Sequence, residues 1–303
     1  MTGRPAAAVG LACTRLPRHY RTDNSMFTSA SKAIWQRLFF CYTLCLIIPA
    51  SAHPGQHEQL ARMTRAIEDN PGQQALYIQR GMIYSRGGQF DQALADYARA
   101  EQLGPPVAVA YALGVHHYRR GEYSRAIDYL GSYIEQFPTA AAAYDYRARA
   151  HRAAGDRVAA VADLELYFQL HASPQPGHYL SAAAMLQEMG ETGAALDTLD
   201  RGLDKLGLTP QLQRRAVQLE LARGQPDNAI ARQETLRIPL KESPGWKLEM
   251  AELLLAAGRD GAAMELLLAL ETELGELRPT PARAAMQQQA RALKLQLESQ
   301  QAP

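Results

Sequence analysis

The sequence predicts an all-α fold, a solenoid of about six helix–turn–helix repeats with a capping helix at each end. Three observations carry that expectation. Ala and Leu are abundant and strand-forming residues sparse in a chain of 303 residues that is 47% hydrophobic, a balance that favours helices. Glycines recur at Gly88, Gly121, Gly155, Gly190, Gly224 and Gly258, at intervals of 33, 34, 35, 34 and 34 residues. A fixed period of this kind marks a stacked repeat rather than two ordinary domains. Each of these glycines also lies between two runs of apolar residues at helical spacing.

The clearest copy runs from Gln74 to Pro105. Leu76, Tyr77, Gly81 and Tyr84 share one side of a first helix, and Phe90, Ala93, Leu94, Tyr97 and Ala100 one side of a second. Asp91 is the expected N-cap of the second helix, and Gly104 followed by Pro105 is its stop signal. These residues resemble the tetratricopeptide repeat, with Tyr77, Gly81, Tyr84, Ala93, Tyr97 and Pro105 in its signature slots. Tyr77 stands where the family usually has Trp, and Arg80 where it usually has Leu. The resemblance implies a right-handed superhelix of antiparallel helix pairs. Such pairs approach to roughly 8–10 Å only where side chains are small, which is the part expected of Gly81 and Ala93, with Ala100 admitting the next repeat.

The other elements follow in order. Residues 53–72 contain one amphipathic helix, expected to cap the N-terminal end of the stack. Six repeats fill 73–277. The second holds Gly114, Gly121 and Ala126, the third Ala148, Gly155 and Ala160, and the fourth Gly190 and Ala195. A weaker fifth holds Ala216, Gly224 and Ala229, and a sixth holds Trp246, Gly258 and Ala263. Residues 278–303 begin with Pro279 and Pro281 and then make a Gln-, Arg- and Leu-rich helix with one polar face, as a C-terminal cap needs.

The chain's first 52 residues differ in character. Of 32 Lys/Arg and 31 Asp/Glu in the chain, six and one fall there, leaving 26 and 30 from residue 53 onward, a net of −4. That balance argues against a nucleic-acid binder, which needs a basic footprint. Cys13, Cys41 and Cys45 all precede residue 53, so the repeats hold no thiol nucleophile, cysteine metal site or disulfide framework. From Met26 the chain carries Lys32 and Arg37, an apolar run Leu38–Ile48, and Ala50-Ser51-Ala52, the pattern of a secretory leader. Cleavage is expected after Ala52, which places the mature protein in the periplasm or outside the cell. The apolar run is too short for the ~20 residues of a spanning helix. No residue before Cys41 or Cys45 makes a lipidation site, and Met26 competes with Met1 as the start.

No catalytic arrangement is present: no Gly-x-Ser-x-Gly, His-Glu-x-x-His, phosphate loop or Gly-x-Gly-x-x-Gly occurs. The sequence therefore predicts no enzyme and no cofactor. His53 and His57 could at most form an N-terminal copper chelate, but no third ligand is evident, and no metal site is expected. His117 and His151 share one repeat slot and are expected to fill the wedge between helices. The family's concave groove is lined by one side of each first helix. By the resemblance, its positions fall on Met82 and Arg86, on Tyr111, Tyr118 and Arg119, and on Asp145, Arg149 and Arg152. Tyr and Arg are the residue types enriched at binding hot spots. The groove lacks the Lys and Asn pattern of family members that bind chaperone tails. The resemblance thus implies a non-enzymatic envelope scaffold that holds a protein or peptide segment in a Tyr/Arg groove, whose arginines suit an acidic one. The alternative is an assembly factor that docks through the solenoid's ends or outer face.

Overall fold

The computed structural model describes residues 54–301. The leader expected over 26–52, its cleavage site at Ala52 and His53 lie outside the described residues. Fourteen helices and no strand are found among the described residues. α1 (Pro54–Asp69) precedes six antiparallel pairs: α2 (Gln74–Arg86) with α3 (Phe90–Leu103), α4 (Val107–Arg119) with α5 (Tyr123–Gln136), α6 (Ala141–Ala153) with α7 (Arg157–Leu170), α8 (Pro176–Glu188) with α9 (Thr192–Leu206), α10 (Pro210–Ala222) with α11 (Pro226–Thr235), and α12 (Pro244–Ala256) with α13 (Asp260–Glu276). α14 (Pro281–Gln301) packs on α13 and α12. The fold is an all-α solenoid. None of these helices is long and apolar enough to cross a membrane.

The repeating glycines end the first helix of every pair in the same way. All six have φ between +68° and +90°, a left-handed conformation that a Cβ disfavours. The residue after each glycine donates its N–H back across the turn. Gln89 reaches the Tyr84 carbonyl at 2.9 Å, Asp156 the His151 carbonyl at 2.9 Å and Arg259 the Leu254 carbonyl at 2.8 Å. This is the Schellman closure, which satisfies carbonyls the helix leaves free. The second helix then starts two residues on. Asp91 does not cap α3: Gln89 holds the N-cap position, and Asp91 lies in the first turn, where its charge meets the positive end of the helix dipole.

Each second helix buries a small residue where it crosses its partner: Ala93, Ala126, Ala160, Ala195, Ala229 and Ala263 are all 0% exposed. On the first helices the crossing is made by Gly81, Gly114 and Ala148. A Cβ on Gly81 would stand 2.5 Å from Cε1 of Tyr97, and one on Gly114 2.5 Å from Cγ of Leu130. Larger side chains at the following turns then close the core, such as Leu130, Leu164, Leu199 and Leu267. The fifth pair departs from this scheme. The slot seven residues before Gly224 is Val217, packed against Ala229 and Leu253, and α11 spans only 10 residues. A turn containing Lys241 and Glu242, with φ of 52° and 48°, follows it.

Candidate functional site

Successive first helices pack side by side: α2 on α4, α4 on α6, α8 on α10. They form the inner layer, and the second helices the outer one. Residues three, four and seven apart share a helix face, so Tyr111 and Tyr118 of α4 lie on one face, as do Asp145, Arg149 and Arg152 of α6. Four of the eight residues expected in the groove come together here. Tyr118, Asp145, Arg149 and Arg152 line a cavity of about 280 Å³, opposite Gln175, His178, Ser181 and Met185.

The other four go elsewhere. Met82 and Arg86 line a separate hollow of about 390 Å³ with Gln59, Arg62 and Met63 of α1. Tyr111 does not line the cavity but packs against the core, its ring 6.0 Å from that of Tyr146. Arg119 is exposed at the end of α4 and lines neither space.

The opposite wall came from a face of α8 that the repeat register does not mark. Relative to Gly190, His178, Ser181 and Met185 each sit one residue beyond the positions equivalent to the groove face of α6. One residue turns a helix by about 100°. A cavity between two parallel helices takes the groove face of one and the flank of the next, so a single register finds only one wall.

The cavity's charges are partly paired internally. Arg149 donates from Nε to Asp145 at 2.9 Å, and its Nη2 lies 2.7 Å from the same carboxylate. His178 Nδ1 accepts from the Gln175 N–H at 3.2 Å. The imidazole proton is therefore on Nε2, which faces Asp145 at 3.3 Å. Burial alone would raise the Asp145 carboxyl, but the hydrogen bond from His178 and the Arg149 guanidinium hold it below its ordinary value. Asp145 is thus an anion with both partners in place. Arg152 differs: its Nη1 donates to Ser181 Oγ at 2.8 Å, and no carboxylate among the described residues lies within ion-pair distance of it. The cavity presents one uncommitted cation beside the Tyr118 ring.

The histidines of the shared slot are structural in their contacts. His117 Nδ1 lies 2.7 Å from Glu122, and its ring stacks on Tyr129 at 5.2 Å. His151 stands 3.9 Å from Asp156 and from Asp163. His57 is exposed on α1. Among the described residues no group of three or more His, Asp or Glu stands where it could hold a metal ion.

A family model described as Tetratricopeptide repeat matches residues 78–141 and 111–175. Residues 78–175 carry tetratricopeptide repeats. The matched residues span the cavity's α4–α6 wall. Two solved structures share the repeat architecture. One is the C-terminal part of a TPR repeat-containing protein from Cytophaga hutchinsonii, at 15% identity and a TM-score of 0.57 over 77% of this chain and 94% of that one. The other is pilF of Pseudomonas aeruginosa, at 15% identity and a TM-score of 0.50 over 75% and 97%. At that identity the likeness speaks for the fold alone. No match was found among curated proteins. The tetratricopeptide repeat is an interaction repeat, and no catalytic family is matched.

Proposed function

We propose that this tetratricopeptide array is a non-enzymatic scaffold of the cell envelope that holds an acidic segment of a partner protein in the cavity between α4, α6 and α8. The observation that carries the reading is Arg152. It lines the cavity beside Tyr118 and is held only by Ser181, whereas Arg149 is already spent on Asp145. A half-open site with an uncommitted guanidinium and an adjacent aromatic ring suits a carboxylate-bearing segment. The leader-like pattern before His53 supports the envelope setting.

A second reading has its own observation. Val158, Ala162, Leu166 and Leu170 follow one another at four-residue spacing along α7, and all are exposed. The equivalent outward positions of α5 are Ser124, Asp128, Ser132 and Gln136. An apolar stripe on the outer layer supports docking through that face. Capture of partners from an envelope extract on the full chain separates the two. Under the cavity reading, Arg152→Glu abolishes capture while Arg119→Glu leaves it intact. If Arg152→Glu retains the partner and Leu166→Asp loses it, the outer-face reading replaces the cavity reading.

A further inference from the structure

The hollow of about 390 Å³ between α1 and α2 is a separate space from the cavity, and the two share no lining residue. Two contacts pin its walls together. Gln56 Nε2 donates to the Ile83 carbonyl at 3.2 Å, and Arg80 Nη1 to Thr64 Oγ1 at 3.2 Å. Ile67 of α1 is buried with Tyr77 of α2 in the core below. The hollow is therefore formed by the fold before any ligand arrives.

Its floor is apolar and its rims are cationic. Met63, Met82 and Ile83 line it and are only half-buried. Methionine has an unbranched, polarisable side chain that adapts to the shape of what it meets. Arg62 stands on the α1 side and Arg86 on the α2 side, both exposed. Among the described residues no carboxylate lies within ion-pair distance of either guanidinium. Arg80, on the same helix as Arg86, shows the contrast: Asp96 holds it through two hydrogen bonds.

Charge decides between occupants. The 52 residues before His53 carry six Lys/Arg and one acid, so that stretch would bring like charge to Arg62 and Arg86. A partner segment with acidic residues on both sides of an aliphatic pair answers both rims and the floor at once. Each guanidinium can hold a carboxylate through two parallel bonds, and Met and Arg are among the residue types enriched at protein interfaces.

We propose that the α1–α2 hollow is a second docking site, which takes a partner segment of the form acid–aliphatic–aliphatic–acid. The aliphatic side chains lie on Met63, Met82 and Ile83, and the acids reach Arg62 and Arg86. Because the hollow and the cavity have separate linings, the two readings stand or fall separately.

The test is a fluorescence-anisotropy titration of the full chain with three labelled peptides, centred on Glu-Leu-Leu-Glu, Glu-Gly-Gly-Glu and Gln-Leu-Leu-Gln. The first should bind about tenfold or more tighter than the uncharged Gln peptide and about fivefold or more tighter than the Gly peptide. Arg62→Glu/Arg86→Glu should abolish its binding, and Met63→Ser/Met82→Ser should weaken it about fivefold without changing the charge. Arg99→Glu/Arg125→Glu, the same charge change at two exposed residues of the outer layer, should bind as wild type, as should Arg152→Glu. Circular dichroism reports whether each variant keeps its helices. Equal affinity for the Leu and Gly peptides would overturn the proposal, because the hollow would then be a cationic surface only. Binding lost in Arg152→Glu but kept in Arg62→Glu/Arg86→Glu would overturn it and assign the peptide to the cavity. Binding of none of the peptides would overturn it and leave the cavity reading untouched. A dimer of the full chain, seen by light scattering and lost in Arg62→Glu/Arg86→Glu, would overturn it in favour of a second copy as the occupant.

Discussion

Arg147 grips Asp163 through two hydrogen bonds, 2.8 Å from Nε and 2.7 Å from Nη2, across the helix pair of the third repeat. Arg80 holds Asp96 in the same way in the first repeat, at 2.9 and 2.7 Å. Both carboxylates are almost wholly covered, with side-chain exposures of 5% and 7%. A planar guanidinium fits a carboxylate with two parallel bonds, which a Lys could not reproduce.

Removing one partner of this pair strands a buried charge. Arg147→Met should lower the unfolding free energy by about 3–5 kcal/mol, and Arg147→Met/Asp163→Leu should recover most of that loss. Urea denaturation of the three proteins measures both. Equal losses in the single and double variants would show that packing of the stem, not the ion pair, holds the site.

Close approach at the crossing makes a second prediction. The Cβ of Gly81→Ala would meet the Tyr97 ring, which is 1% exposed and has no room to retreat. The expected cost is about 1–3 kcal/mol. Gly72→Ala, where nothing lies within 4 Å, should stay within ~0.5 kcal/mol of wild type. Melting temperatures read the difference directly.

His116 gives the fold a dependence on pH. It is 0% exposed, its two ring nitrogens have no hydrogen-bond partner, and it packs edge-on against Phe90 and Tyr97. Burial first, and then the nearby His117 and Arg120, push its pKa down to about 4, with Glu122 opposing. An unfolded His titrates near 6.5, so between those values the unfolded chain binds the proton and the folded chain does not. Stability from this group is therefore complete above about pH 6.5 and falls as the pH drops towards 4, by roughly 3 kcal/mol in all. His116→Phe should remove that part of the pH slope and be no less stable at pH 7. Unfolding curves of both proteins across this range test it, and parallel slopes would contradict it.

The turn after α11 is strained at two side-chain-bearing residues. Lys241 and Glu242 are exposed and left-handed, a conformation that costs about 1–2 kcal/mol outside glycine. Glycine's extra unfolded-state freedom offsets about half of that. Glu242→Gly should stabilise the protein by up to ~1 kcal/mol in urea denaturation, whereas Glu242→Val should destabilise it.

The solenoid was legible because its two determinants are backbone requirements. A Schellman turn calls for glycine at each positive φ, and a close crossing calls for Gly or Ala, so Gly88 and Ala93 recur with the repeat. The Arg80–Asp96 pair was less visible, although Arg147 and Asp163 repeat the same sixteen-residue spacing. Arg80 registered only as a departure from leucine, because spacing says nothing of which acid folds beneath it. The cavity was half legible for a geometric reason. Asp145, Arg149 and Arg152 lie on the face the register marks, while His178 and Ser181 lie on a flank that becomes a wall only when α8 packs beside α6. Arg119 has the groove spacing but stands at the exposed end of α4, beyond the cavity.

The central claim, a partner held between α4, α6 and α8, is tested most directly by site-specific photo-crosslinking. A benzophenone amino acid replaces Gln175 at the cavity rim in one protein and Val158, 70% exposed on the outer layer, in another. The account predicts a partner crosslinked from position 175 and not from 158, and lost from 175 when Arg152→Glu is added. A crosslink from position 158 alone, unaffected by Arg152→Glu, would contradict it.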